Sequence, residues 1–268
     1  MAKILVPVDF SKTSINALCY AIDLFQGEAL EITILHIYGV EATALTMKSF
    51  DDILVETAEK QMTELIDDIN NKYPDVILKP RLSKNYAVDT ISKMGDSGNY
   101  DLIIMGTKGV SGLKEVFMGS IAGGVVSKTS APVIVVPLDY QFKVLDYVVL
   151  AIGDQLLLDH VNLNLLKSLQ KRHESSLEVL HISDNGATQK DVIKGSLNEF
   201  NPSYTIKSAS GDLNQQLNVH IQNNDTDLLC LLKTKKDFLH RLFHNSVTLK
   251  QTFNSPVPLL IFHNKKPA

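Results

Sequence analysis

The residues in this chain best suited to chemistry lie in one stretch, Gly106-Thr-Lys-Gly109-Val-Ser-Gly-Leu-Lys-Glu-Val-Phe-Met-Gly119-Ser120, which reads G-x-x-G, nine residues, then G-S. Glycines let a backbone approach a ligand closely, and their exposed N–H groups form nests that hold anions. Gly119 and Ser120 stand where a helix is expected to open. The first N–H groups of a helix are unpaired and lie at the positive end of its dipole, which suits a phosphate, and Ser120 would cap the helix or bond an oxygen. The plainer reading of Gly106, Gly109 and Gly112 is that they only turn the chain. A second marked residue, Asp9, follows the first apolar run. It would accept hydrogen bonds from a base or a ribose, or else cap the next helix or pair with Lys12. No base beside a nucleophile, no paired carboxylates and no metal triad can be assembled from these loops, so the expectation is binding, with slow hydrolysis at most.

Weaker candidates lie elsewhere. His240 and His244 are four apart and on a helix would share one face with Asp237, but no fourth metal ligand is evident, and exposed helix histidines are the default reading. Lys233, Lys235 and Lys236 form a basic run, read first as a solvated loop and second as a phosphate contact. Cys19 and Cys230 sit in no metal or disulfide pattern, which suits a reducing compartment.

Short apolar runs alternate with longer amphipathic ones, the pattern of strands and helices wound around a mainly parallel sheet. In the first half the strands are Lys3–Val8, Leu30–Ile37, Val76–Leu82, Asp101–Met105 and Val133–Val136. The helices run from Ser11, as N-cap, to Phe25, from about Met47 to Asn71, from Tyr86 to about Gly95, and onward from Ser120. Gly123 and Gly124 fall inside that last helix, where close helix packing explains them better than a ligand does. In such a sheet ligands bind outside the carboxyl ends of the strands where strand order reverses, so the segments after the first and fourth strands, with Asp9 and the glycine loop, carry the information.

The second half repeats this order. Asp227–Leu231 follows Asp101–Met105 by 126 residues, and Val257–Phe262 follows Ala131–Val136 by the same 126. Val148–Ile152 follows Ile4–Val8 by 144, and Leu180–Ile182 follows Leu35–Ile37 by 145. The difference implies a deletion of roughly 18 residues, mostly in the long helix after the second strand of that copy. The boundary is expected near Asp139–Lys143, giving domains 1–140 and 144–268. At these offsets Gly106, Gly109 and Gly119 become Leu232, Lys235 and Asn245, and Asp9 becomes Gly153; Ser246 survives opposite Ser120, and Asp154 lies one residue late. The second copy is therefore expected to be a degenerate, non-binding partner.

Composition narrows the class. The length of 268 residues suits two domains, and 44% apolar with 21% charged residues suits an ordinary globular chain. A net charge of −4 provides no field to draw the chain onto nucleic acid or an anionic membrane. No uncharged apolar run approaches the ~18 residues of a membrane span, and the first nine residues meet a proline and an acid too early for a signal peptide. A cytoplasmic protein is expected.

The opening ILVPVDFS, the LHI after the second strand, MGTKG with its nine-residue spacing to GS, and the closing SAPVIVVP resemble the universal stress protein family, in its version with two tandem domains per chain. The resemblance implies the adenine-nucleotide alpha hydrolase-like fold, two open five-stranded parallel sheets of order 3-2-1-4-5 with helices on both faces. Nucleotide-binding members carry G-x-x-G, nine residues, G-[ST]-N, matched here by Gly106, Gly109, Gly119 and Ser120, while Ile121 replaces the final Asn. It further implies that Asp9, Pro7, Met105 and Lys108 line the site, that ATP or a related adenine nucleotide is the ligand, with Mg2+ arriving on its phosphates, and that the last strands of two domains pair antiparallel. An internal pseudo-dimer and a homodimer are expected. The alternative function is a stress or interaction protein that binds no nucleotide and acts through its oligomer or another small ligand. A third reading, an adenylating enzyme, would want S-G-G-x-D-S after the first strand, and Phe10-Ser-Lys-Thr-Ser14 is not that loop.

Overall fold

The computed structural model describes residues 1–39, 48–107, 118–153, 161–183, 197–208, 213–233 and 255–263. The chain divides into two compact units, parting in sequence between Phe142 and Lys143. In the first, β1 (Ala2–Val8), β2 (Leu30–Ile37), β3 (Ile77–Ser83), β4 (Leu102–Gly106) and β5 (Val133–Val136) form a parallel sheet of order β3-β2-β1-β4-β5. Its helices are α1 (Lys12–Leu24), α2 (Lys48–Lys72), α3 (Ala87–Gly95) and α4 (Ser120–Lys128). The second unit holds β6 (Tyr147–Gly153), α5 (Asn164–His173), β7 (Ser176–Ser183), a 3-10 turn at Asn198–Phe200, β8 (Ser203–Ser208), α6 (Leu213–Asn223), β9 (Leu228–Lys233) and β10 (Leu259–His263). Its order, β8-β7-β6-β9-β10, is that of the first unit, so the expected strand order is observed in both.

Central strands are apolar on both faces because helices cover both. Ile4, Leu5 and Val6 of β1 are fully buried, as are Val149 and Leu150 of β6. The outer strand β3 carries Lys79, Pro80 and Arg81, side chains that discourage further pairing at an edge. Ser11 caps α1, its Oγ accepting from the Ser14 amide at 3.3 Å, as its position before the helix predicts. On the face that carries Gly106, α1 comes so near that a Cβ there would lie 2.5 Å from Thr13 Cγ2. On the other face Gly95 of α3 lies against Ile103, and Gly124 of α4 against Val88 of α3. Gly124 is thus explained by helix packing.

The strand registers reproduce the offsets of the duplication. Ile4 pairs with Leu102 and Val148 with Leu228; Ile4 pairs with Ile32 and Val148 with Leu177. Beyond β7 the count changes, since Thr33 pairs with Lys79 while its counterpart Glu178 pairs with Ser203, an offset of 124. The second unit is therefore shorter by 21 residues between those strands and regains two before β9, a refinement of the deletion expected from sequence. One polar device is repeated at the amino edge of both sheets. Asp101 Oδ2 accepts from the Lys3 amide at 2.9 Å while its own amide donates to Lys3 O at 2.9 Å. Asp227 does likewise with Tyr147, and its Oδ2 also takes the Asp146 amide.

The second unit buries a polar cluster that the first lacks. Glu178 on β7 is 3% exposed, and its Oε2 accepts from Tyr147 OH at 3.1 Å and meets His220 Nε2 of α6 at 2.8 Å. Burial works against its charge, but hydrogen bonds from Thr205, His220 and Tyr147 hold its carboxyl below the usual range. The first unit has Thr33 and Met94 at these places.

Candidate functional site

Strand order in the first unit reverses between β1 and β4, and those two strands part early. Their ladder has two rungs, Ile4 with Leu102 and Leu5 with Ile103. Carrying the register forward sets Pro7 beside Met105 and Asp9 beside Thr107, all on the face packed by α3. Proline has no N–H to offer a ladder, so its position just past the last rung is consistent with the strands separating there. Strands that part at a reversal point leave a crevice at the carboxyl edge, and the register sets the half-buried Pro7 and the buried Met105 beside it.

Asp9 sits at the entry to α1. Its Oδ1 accepts from the Ser11 amide at 3.1 Å and from Ser11 Oγ at 2.5 Å, and its amide donates to Ser14 Oγ at 3.2 Å. The carboxylate thus holds the N-cap residue Ser11 in the turn before α1 and does not itself cap the helix, contrary to one of its expected roles. The next residue, Phe10, has φ +60, a left-handed conformation uncommon for a large side chain. Its ring rests 4.4 Å from the His36 ring, and His36 Nδ1 is 2.9 Å from Val8 O. His36 thus packs on Phe10 and bonds the end of β1.

Across the crevice, the Thr107 amide continues β4 by donating to Val136 O at 3.0 Å, and Thr107 O accepts from the Gly119 amide at 2.5 Å. That bond draws the start of α4 to the end of β4. Gly119 is the N-cap, with no side-chain bond to the helix, and its carbonyl accepts the Gly123 amide at 2.9 Å. Ser120 is the first helical residue and is exposed, so it does not cap the helix, contrary to one of its expected roles. Ile121, in place of the motif's Asn, is 43% exposed. Thr107 Oγ1 is buried with no hydrogen-bond partner among the described residues. Thr107 escaped the sequence reading; the signal for it is strand alternation, which sets it on the face of Met105 and Asp9. Lys108 and Gly109 lie outside the described residues, as does Gly112.

The second unit differs at each point. Its ladder between β6 and β9 runs four rungs, from Val148 with Leu228 to Ala151 with Leu231. Leu232, buried, replaces Gly106, and Gly153 replaces Asp9. Lys233, expected first as part of a solvated loop, instead closes β9 beside His263 and is partly buried, which pulls its ammonium pKa down. Asp154, Lys235, Lys236, Asp237, His240, His244, Asn245 and Ser246 lie outside the described residues.

A parallel sheet of order 3-2-1-4-5, parting at its reversal point beside a helix start without a side-chain cap, defines the class as an open α/β fold. The universal stress protein family model matches residues 1–137, and the chain belongs to that family. Universal stress protein MJ0577 of Methanocaldococcus jannaschii is 27% identical over 151 residues, spanning 50% of this chain and 93% of its own. Universal stress protein YxiE of Bacillus subtilis is 29% identical over 151 residues, spanning 50% and 97%. Among solved structures, a universal stress protein from Archaeoglobus fulgidus superposes with a TM-score of 0.73 at 20% identity, over 98% of this chain and 97% of its own, a likeness of fold along both units. No helix among the described residues is long and apolar enough to cross a membrane.

Proposed function

We propose that the first unit binds ATP or a related adenine nucleotide as a regulatory ligand, with little or no hydrolysis, in a cytoplasmic stress-response protein. The observation that carries this reading is the Gly119 amide bonded to Thr107 O, which supports a helix start with no side-chain cap beside the crevice of Pro7, Asp9 and Met105. The residues present fit such a ligand. The first amides of α4 suit a phosphate, and Asp9 suits a ribose hydroxyl or a base amino group. Lys108 and Gly109 extend the site on sequence grounds. Mg2+ would come with the phosphates, since no group of three or more candidate metal ligands occurs among the described residues.

The experiment is to denature freshly purified protein and quantify the adenine nucleotide released per chain. About one mole, lost in a Gly119→Val/Ser120→Val double variant, is expected. No nucleotide, together with no thermal shift on adding ATP and magnesium, would leave the second reading, an interaction protein without nucleotide. That reading is favoured by Ile121, whose exposed apolar side chain stands where the motif has an amide. The internal pseudo-dimer and a homodimer rest on the sequence; a monomeric mass by light scattering at micromolar concentration would overturn the homodimer.

A further inference from the structure

The outer strands of the two sheets are finished differently. In the first unit β3 carries Lys79, Pro80 and Arg81, and at the offset of 124 their counterparts on β8 are Ser203, Tyr204 and Thr205. A proline is tolerated within an outer strand where its missing N–H would face away from the neighbouring strand. The backbone groups of position 80, and of Tyr204 by equivalence, therefore face outward from the sheet edge. Those of Ile206, two residues on, face the same way. β8 thus keeps an outward donor at the position where β3 has none. Among the described residues it pairs with β7 alone. Tyr204, Thr205 and Ile206 are strong strand formers, Ile206 is 36% exposed, and Lys207 is the one charged side chain of the strand. Natural proteins guard such an edge with charge or proline, as β3 does, or else pair it.

We propose that β8 is a self-association edge, to which a second copy of this chain adds its own β8 antiparallel about a two-fold axis at Thr205. The strand is complementary to itself in that register. A two-fold axis perpendicular to the sheet sets opposite each other residues of the same face, so Thr205 meets the second copy's Thr205, Tyr204 meets its Ile206, and Ser203 meets its Lys207. Tyr204 and Ile206, whose backbone groups face outward, become the hydrogen-bonded pairs, each an aromatic side chain against a β-branched one. Thr205 then falls on the close pair that exchanges no backbone bonds, with Cα atoms about 4.5 Å apart. No two like charges are opposed. In the first unit the same register would set Arg81 against Arg81 and take away a bond at Pro80, so the edge that is guarded and the edge that is open differ at equivalent positions. This self-complementarity singles out a second copy as the partner, because β8 itself supplies both members of every pair. The surface uses no residue of the nucleotide reading and neither β5 nor β10.

Disulfide trapping of the full chain tests it, in a Cys19→Ser background that leaves only the buried Cys230. Thr205→Cys should link two chains on mild oxidation with diamide, because the close pair lies within the reach of a disulfide. Ser203→Cys is the control: Ser203 is the more exposed of the two, but in this register it stands about 13 Å along the strand from its own copy. Linking at least about 10-fold faster for Thr205→Cys than for Ser203→Cys is expected, the reverse of the order that exposure alone would produce. Adding Tyr204→Pro, which transplants the edge proline of β3, should slow the linking at least about 10-fold. If Thr205→Cys fails to fold, sedimentation of Tyr204→Pro against the native chain carries the test, with self-association expected to weaken at least about 10-fold. Thr205→Cys chains that stay unlinked, that link no faster than Ser203→Cys, or that link equally well with Tyr204→Pro would each overturn the proposal, as would unchanged self-association of Tyr204→Pro. The first of these outcomes would leave the edge to a partner other than this chain.

Discussion

Ala151 pairs with Leu231 on the fourth rung of its ladder, whereas Pro7, its counterpart in the first unit, stands beyond the second and last rung of the corresponding ladder. The longer ladder is consistent with this exchange, since alanine donates an N–H and proline does not. Ala151→Pro should cost the second unit about 1–3 kcal/mol, by removing a ladder donor from a buried central strand. Pro7→Ala should change stability by less than about 1 kcal/mol, because any new bond is offset by the freer unfolded chain. Denaturant unfolding of the two variants reads the asymmetry; equal effects would contradict it.

Gly106 has a structural reason to be glycine before any ligand is considered. An added Cβ would stand 2.5 Å from Thr13 Cγ2 and 2.9 Å from Thr13 O, and the second of these is backbone that cannot rotate away. Gly106→Ala is expected to destabilise the first unit by about 1–3 kcal/mol with or without nucleotide. A melt within the error of the native protein would show that α1 yields more easily than its packing implies.

Glu178 makes the second unit acid-sensitive. Its folded-state pKa lies below the ordinary 4.5, so the stability it contributes is present above that value and is lost as pH falls through the lower folded one. Thermal melts from pH 6 to pH 3 should show a fall that Glu178→Gln flattens. At neutral pH Glu178→Ala should cost about 1–3 kcal/mol, since it leaves the buried His220 Nε2 without its carboxylate partner.

The two thiols should differ in reactivity. Burial raises the pKa of both, and Cys230 is fully buried in β9 while Cys19 is only partly covered on α1. In native protein at pH 8 a thiol reagent should label Cys19 slowly and leave Cys230 untouched until the chain unfolds. Labelling of Cys230 at a rate independent of denaturant would show that β9 opens locally.

Much of the fold was legible because its strands are continuous apolar runs: Leu30–Ile37 and Val133–Val136 coincide with β2 and β5, and Ser11 announces α1 by its type and place. That Pro7, Asp9, Met105 and Thr107 share one face is not legible from composition or spacing, since it depends on register between strands distant in sequence. Thr107 was passed over because a buried hydroxyl carries no motif. Lys233 was misjudged because a lysine in a run of lysines looks solvated, whereas its position as the last residue of β9 half-buries it. The Glu178–His220 pair was invisible for the same physical reason: 42 residues separate the partners, and only the packing of α6 on β7 brings them together.

Asp101 and Asp227 fasten the amino edge of each sheet, at the end opposite the crevice. The groups that hold the strands in line at the amino edge and those proposed to meet a ligand are therefore in different places. This division explains how the second unit could exchange Asp9 for Gly153 and Gly106 for Leu232 while keeping its strand order and register. It also makes the chain a ready-made internal comparison: a substitution at the carboxyl edge of either unit can be judged against an intact copy of the same scaffold in the same molecule.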